Sequence, residues 1–300
     1  MSPTDFEPIA AIPPMFAGLC DDAALFPPGN AAAADALPAH TRYRGAWFAP
    51  LVGPFLVGAN HLAVVADALE HASASPDAVL VVRGGPPELA PSLDAARRCG
   101  LRLVGVELGS APTGSPAEAA RAAATALARL PLGDMGGVVE VRRSSDAEMQ
   151  AALDALAGTG CRAKLRTGGT VADAFPSAAE VATFIGGCVA RGLPFKCTAG
   201  LHQAVRHTDP VTGFEHHGFL NILAATASVL SGAGPTEVTA VLEQRDGAEL
   251  AANTSRMTPR QASLARASFT AYGTCSITEP LEELARLGLV SLPTDPLDRA

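Results

Sequence analysis

The sequence predicts a (β/α)8 barrel, the TIM-barrel class, on three observations. Eight short apolar runs alternate with Ala-rich amphipathic stretches along the chain, and such alternation means a parallel sheet covered by helices. Three hundred residues suit one barrel of this kind. No shift of composition marks a boundary, so residues 1–300 read as a single barrel domain. A doubly wound open sheet is the structural alternative. Neither G-x-G-x-x-G nor G-x-x-x-x-G-K-[ST] follows any strand, which weakens its nucleotide-binding form.

Taken in order, the apolar runs place strands near 14–20, 45–51, 78–83, 102–107, 137–142, 161–166, 193–198 and 268–274. Helices fall near 31–41, 60–72, 87–99, 115–130, 145–159, 177–192, 215–232 and 278–288. Pro and Gly punctuate the joints, as in the run at 130–134. Ser115-Pro-Ala-Glu118 and Ser144-Ser-Asp-Ala-Glu148 have the pattern of a helix N-cap with an acidic first turn. The segment 200–265, between strands seven and eight, is longer than a normal βα connection and predicts extra helices or a lid.

Apolar residues make up 48% of the chain, enough for a large core. The net charge of -8 argues against a nucleic-acid partner. No run approaches the 18 apolar residues of a membrane span. The first residues lack a basic, then apolar, leader pattern, and the six cysteines form no CxxC pair. Both features point to a cytoplasmic protein with reduced thiols. A homo-oligomer is compatible with the sequence, which does not specify one.

The chemistry lies in strand parity. Alternate strand residues face opposite sides, and the inward filling of a barrel is normally Val, Ile and Leu. Here Lys164 alternates with Ala163 and Leu165, Lys196 with Phe195 and Cys197, and Glu140 and Arg142 with Val139 and Val141. Glu107, Arg83 and Arg166 likewise stand at or near strand ends. Burying such charges costs several kcal/mol per ion unless they are paired or used. Five cations against Glu107 and Glu140 leave a positive excess, which suggests an anionic substrate carrying phosphate or carboxylate. Two inward lysines on neighbouring strands also have a specific use. Ammonium groups about 5 Å apart repel by roughly 3 kcal/mol at an effective dielectric of about 20, and such repulsion lowers one pKa towards neutrality and frees a nucleophilic amine.

Lys164-Leu-Arg-Thr-Gly-Gly, followed by a helix opening Phe175-Pro-Ser-Ala-Ala-Glu180, resembles the Schiff-base strand of the deoxyribose-phosphate aldolases. Lys196-Cys-Thr-Ala-Gly resembles the next strand of that family, and Tyr272-Gly-Thr-Cys-Ser-Ile its last. The resemblance covers about 140–205 and 268–288. It implies that Lys164 forms the imine, that Lys196 lowers its pKa, and that Gly273, Thr274 and Ser276 lie at an anion site. The family's acid on strand four falls near Gly105 here, with Glu107 two residues on, and Arg166 replaces a small polar residue.

Together these observations predict a lyase of the class I aldolase type, acting through a Lys164 imine on a small anionic carbonyl compound. Lys196, Glu107 and Glu140 complete the catalytic set, with no cofactor and no metal. Asp21, Asp22, Arg83, Arg142, Arg166 and His202 are substrate-binding candidates. Two other readings stay open. A metal-dependent hydrolase or lyase would use Asp21 and Asp22 with the cluster His202, His207, Glu215, His216 and His217. A non-catalytic barrel binding a small anion would hold both lysines in ion pairs with Glu107 or Glu140.

Overall fold

The computed structural model describes residues 11–71, 75–110, 113–130 and 136–293. Residues 1–10, read above for a leader pattern, and most of the Pro- and Gly-containing run 130–134 lie outside these residues. Eight strands close into a parallel barrel: β1 (Cys20–Asp22), β2 (Val52–Gly58), β3 (Asp77–Val82), β4 (Arg102–Leu108), β5 (Gly136–Glu140), β6 (Arg162–Arg166), β7 (Phe195–Thr198) and β10 (Phe269–Thr274), in the order β1-β10-β7-β6-β5-β4-β3-β2. Helices α1 (Ala33–Gly45), α2 (Leu62–Leu69), α3 (Pro86–Arg98), α4 (Pro116–Ala128), α5 (Asp146–Leu156) and α6 (Ala178–Ala190) follow the first six strands in turn. The fold is therefore the predicted α/β barrel. None of the described helices is long and apolar enough to cross a membrane.

The local chemistry explains the helix starts. Ser115, Ser145 and Ser177 each accept from the backbone N–H three residues on, while Glu118, Glu148 and Glu180 reach back to the cap, closing a capping box at α4, α5 and α6.

The first two strands lie later in the chain than expected. Residues Pro14–Phe16 form a 3-10 turn and β1 begins only at Cys20, while the predicted second strand is occupied by the end of α1 and the turn Ala49–Leu51. Pro14 and Pro50 stand in the first positions of the two 3-10 turns. Pro54 stands inside β2 where the β1–β2 register shifts between Cys20 and Asp22, so its missing N–H falls at an irregularity.

The segment after β7 divides in two. A hairpin, β8 (His207–Thr208) with β9 (Glu215–His216), is antiparallel and stands over the barrel mouth. Then α7 (Phe219–Leu230) packs against α6 and β10, with Phe219 stacked on Tyr272 at 5.2 Å. Three further helices, α8 (Pro235–Glu243), α9 (Gly247–Ser255) and α10 (Pro259–Ser268), pack on α7 and supply no residue to the mouth. The segment 200–265 thus supplies extra helices, and its hairpin lies at the mouth. The last helix is α11 (Thr278–Arg286).

Candidate active site

Parity carries the charges inward as the sequence implied. Cys197 and Leu165 face the helices, and Lys196 and Lys164, between their apolar neighbours, are 2% and 3% exposed. The two lysines are register partners on β6 and β7. On β1, Asp21 and Asp22 take opposite sides. Asp21 pairs with Lys196, and Gly53 on β2 makes room for it, since a Cβ there would meet the Asp21 carboxylate at 2.2 Å. Asp22 instead binds buried His40 of α1 at 2.9 Å and accepts from Ala24 N–H. Asp22 therefore joins β1 to α1 and does not border the cavity or the space beneath it.

The inward charges form one chain of alternating sign. Asp21 binds Lys196, Lys196 binds Glu107, Glu107 accepts from Lys164 at 2.9 Å, Lys164 lies 2.8 Å from Glu140, and Glu140 lies 3.6 Å from Arg166. Burial pushes the Glu107 carboxyl up, but Lys164 and Lys196 outweigh it and hold it well below the usual range. Burial pushes both lysines down, but Glu107 with Glu140, and Asp21 with Glu107, outweigh it and leave both above their ordinary value. This corrects the expectation of one depressed lysine. The two ammonium groups do not face each other bare, because Glu107 stands between them. Asp21 alone among these carboxyls is shifted up, by burial that Lys196 does not fully offset.

Above the chain opens a cavity of about 890 Å³, bordered by Arg83, Arg166, Phe175, His202, His216 and Glu279 among others. Beneath it a space of about 50 Å³ reaches down to Lys164, Glu107, Thr198 and Gly273. Lys164 therefore borders this deep space, whereas Lys196, bonded to Glu107, does not. Glu140 is 24% exposed and joins the site through Lys164 and Arg166.

Several expected residues are elsewhere. Arg142 comes after β5 has ended at Glu140, so strand parity no longer aims it, and it donates to Gly114 O instead of bordering the cavity. Thr274 donates to Ser276 O, and Ser276 Oγ accepts from Glu279 N–H, so of the expected anion site Gly273 reaches the cavity while Thr274 and Ser276 serve the turn into α11. The positive excess is also smaller than counted. Arg83 and Arg166 remain, but Asp21 joins the chain, and Asp209, Glu279, Glu282 and Glu283 stand on the outer rim.

The histidines do not gather with Asp21 and Asp22. His217 is buried, with Nε2 donating to Pro176 O at 2.7 Å and Nδ1 accepting from Arg206, and burial pulls its pKa down to about 4. The rings of His207 and His216 meet across the hairpin at 5.0 Å, tilted by 34°, and Nδ1 of His216 meets Gly200 O. Among the described residues no three His, Cys, Asp or Glu side chains assemble as a metal-ligand group. His202 does reach the cavity, bound to Glu279 at 2.9 Å and beside the Cys275 sulfur, two partners that the sequence did not assign to it. They lie 77 and 73 residues from it, so only the closure of the barrel brings them together. Comparison of the sequence with known family models and with curated proteins gives no match.

Proposed function

We propose that the protein is a lyase of the class I aldolase type, acting through a Lys164 imine on a small carbonyl compound whose anionic group rests near Arg83 and Arg166. One observation carries the reading: of the two inward lysines, Lys164 is the one that borders the deep space beneath the cavity, and it has a carboxylate on each side. Such barrels hold their chemistry at the C-terminal ends of the strands. The resemblance to the deoxyribose-phosphate aldolases adds to it.

In this mechanism Glu140 or Glu107 takes a proton from the Lys164 ammonium as the carbonyl arrives. The amine adds to the carbonyl carbon, water leaves, and an iminium forms beside Glu107. A carboxylate takes the proton of the hydroxyl on the β carbon, the Cα–Cβ bond breaks with its electron pair moving into the iminium, an aldehyde departs, and the resulting enamine is protonated at Cα and hydrolysed to free the lysine. Lys196 continues to neutralise Glu107 while Lys164 is occupied. Borohydride added with small aldehydes and keto acids tests the step. A mass adduct on the peptide carrying Lys164 is expected, and adducts restricted to other lysines overturn it.

A second reading has its own observation. Both lysines are held in ion pairs, as a barrel that binds a small anion without transforming it requires. In that case calorimetry finds an anion bound near Arg83 and Arg166 while no carbonyl compound is trapped at Lys164.

A further inference from the structure

The loop between β10 and α11 places a second nucleophile in the same cavity. Cys275 is half-buried, and its sulfur lies 3.8 Å from Nε2 and 3.9 Å from Nδ1 of His202. Nδ1 of His202 is bonded to Glu279 at 2.9 Å, which fixes the ring. Gly29 closes the other side, since a Cβ there would meet Cys275 Cβ at 2.8 Å. All three side chains border the cavity, and Cys275 also borders the deep space that holds Lys164.

We propose that Cys275, His202 and Glu279 form a thiol–imidazole–carboxylate centre whose sulfur adds reversibly to the carbonyl carbon of an aldehyde in the cavity. A nucleophile, a base within reach of it and a third group orienting the base are the parts such a centre needs, and their hydrogen bonds are commonly loose before a ligand arrives. His202 is the base. The hydrogen bond to Cys275, then Glu279, raise its pKa to about 9 against the pull of burial, so the ring readily keeps a proton taken from the thiol. The sulfur lone pair forms the C–S bond and the carbonyl π pair moves to oxygen. That oxygen receives the proton held by His202, and the product is a hemithioacetal with no net gain or loss of protons or electrons. The sulfur is nearly equidistant from the two ring nitrogens, and with Nδ1 held by Glu279, Nε2 is the nitrogen left to take the thiol proton. The choice of a carbonyl ligand rests on the Lys164 reading, whereas the activated thiol does not.

The other cysteines provide the comparison. Cys20, Cys161, Cys188 and Cys197 are buried, and Cys99 is half-buried with its thiol donating to Leu62 O. Iodoacetamide at pH 7, followed by peptide mass spectrometry, should alkylate Cys275 on the order of tenfold faster than Cys99, and His202→Gln should slow Cys275 by about the same factor. A His202 that merely shields the sulfur gives an unchanged or faster rate in that variant, and this overturns the centre. The aldehyde arm uses propanal and the Lys164→Arg variant, which keeps the charge but forms no imine. Propanal should slow alkylation of Cys275 in that variant, with recovery on dilution. Protection in the unsubstituted protein alone assigns the effect to the imine and overturns the thiol adduct. Protection in both, with nothing trapped by borohydride at Lys164, keeps the thiol centre and overturns the imine reading.

Discussion

Lys164 and Lys196 are register partners on adjacent strands, yet each ammonium is bonded to the same carboxylate, Glu107. The interposed charge turns mutual repulsion into shared attraction, and the pKa values of both lysines move up instead of apart.

Removing that carboxylate should be costly. Glu107→Gln leaves two buried ammonium groups with one partner fewer, and breaking a buried pair typically costs about 3–5 kcal/mol. Denaturant unfolding at pH 7 should show a loss of that order. The folded pKa of Glu107 lies below its ordinary value of 4.5, so its contribution is present above that value and lost as the pH falls further. The gap between the two proteins should narrow in acid, and a gap that stays constant to low pH contradicts the ion pairing.

The raised pKa of Lys164 makes a kinetic prediction. Below that pKa the neutral fraction grows about tenfold per pH unit. The rate of borohydride-trapped adduct formation on Lys164 should therefore still be climbing at pH 10, since the ordinary lysine value is 10.5 and this one lies above it. A plateau near neutral pH would instead reveal the depressed amine that bare repulsion predicts.

Asp22 should separate from Asp21 in function. Asp22→Asn weakens a buried contact to His40, at a cost of about 1–3 kcal/mol in thermal or denaturant unfolding. Trapping at Lys164 should stay within about twofold of the unsubstituted protein, because Asp22 faces the helix layer. A large loss of trapping with intact stability places Asp22 in the site after all.

His217 should make the fold acid-sensitive. Burial holds its folded pKa near 4, below the ordinary 6.5, so the unfolded chain binds the proton more readily between these values. Stability therefore rises with pH across that window and falls as the pH drops through it. His217→Gln should flatten this part of the profile, while an unchanged slope assigns it to other groups.

Much of this was legible in the residues. Alternation alone located Lys164, Lys196 and Glu107 inside the barrel, because a charge between two apolar strand residues has only one side to take, and it put Glu140 beside Lys164 at the strand end. Parity says nothing once a strand ends, and Arg142, two residues past the end of β5, was misplaced for that reason. Nor does it give the partner across the barrel: Asp21 meets Lys196 over 175 residues of chain, and Cys275 meets His202 over 73. The first two strands begin later than their apolar runs because those runs open 3-10 turns at Pro14 and Pro50, and apolar composition alone does not separate a turn from a strand.

The chain from Asp21 through Lys196, Glu107, Lys164 and Glu140 to Arg166 holds three carboxylates and three cations. Summed formally, it is neutral, and beyond its own length its field falls away faster than that of a single charge. At physiological ionic strength even a bare charge is screened within about 8 Å. The floor of the site therefore does not draw ligands from a distance. What an approaching anion meets first is the rim, where Asp209, Glu279, Glu282 and Glu283 repel it and Arg83 and Arg166 attract it. Added salt weakens both effects together, so ligand capture should depend only weakly on ionic strength, and selectivity is exerted at contact.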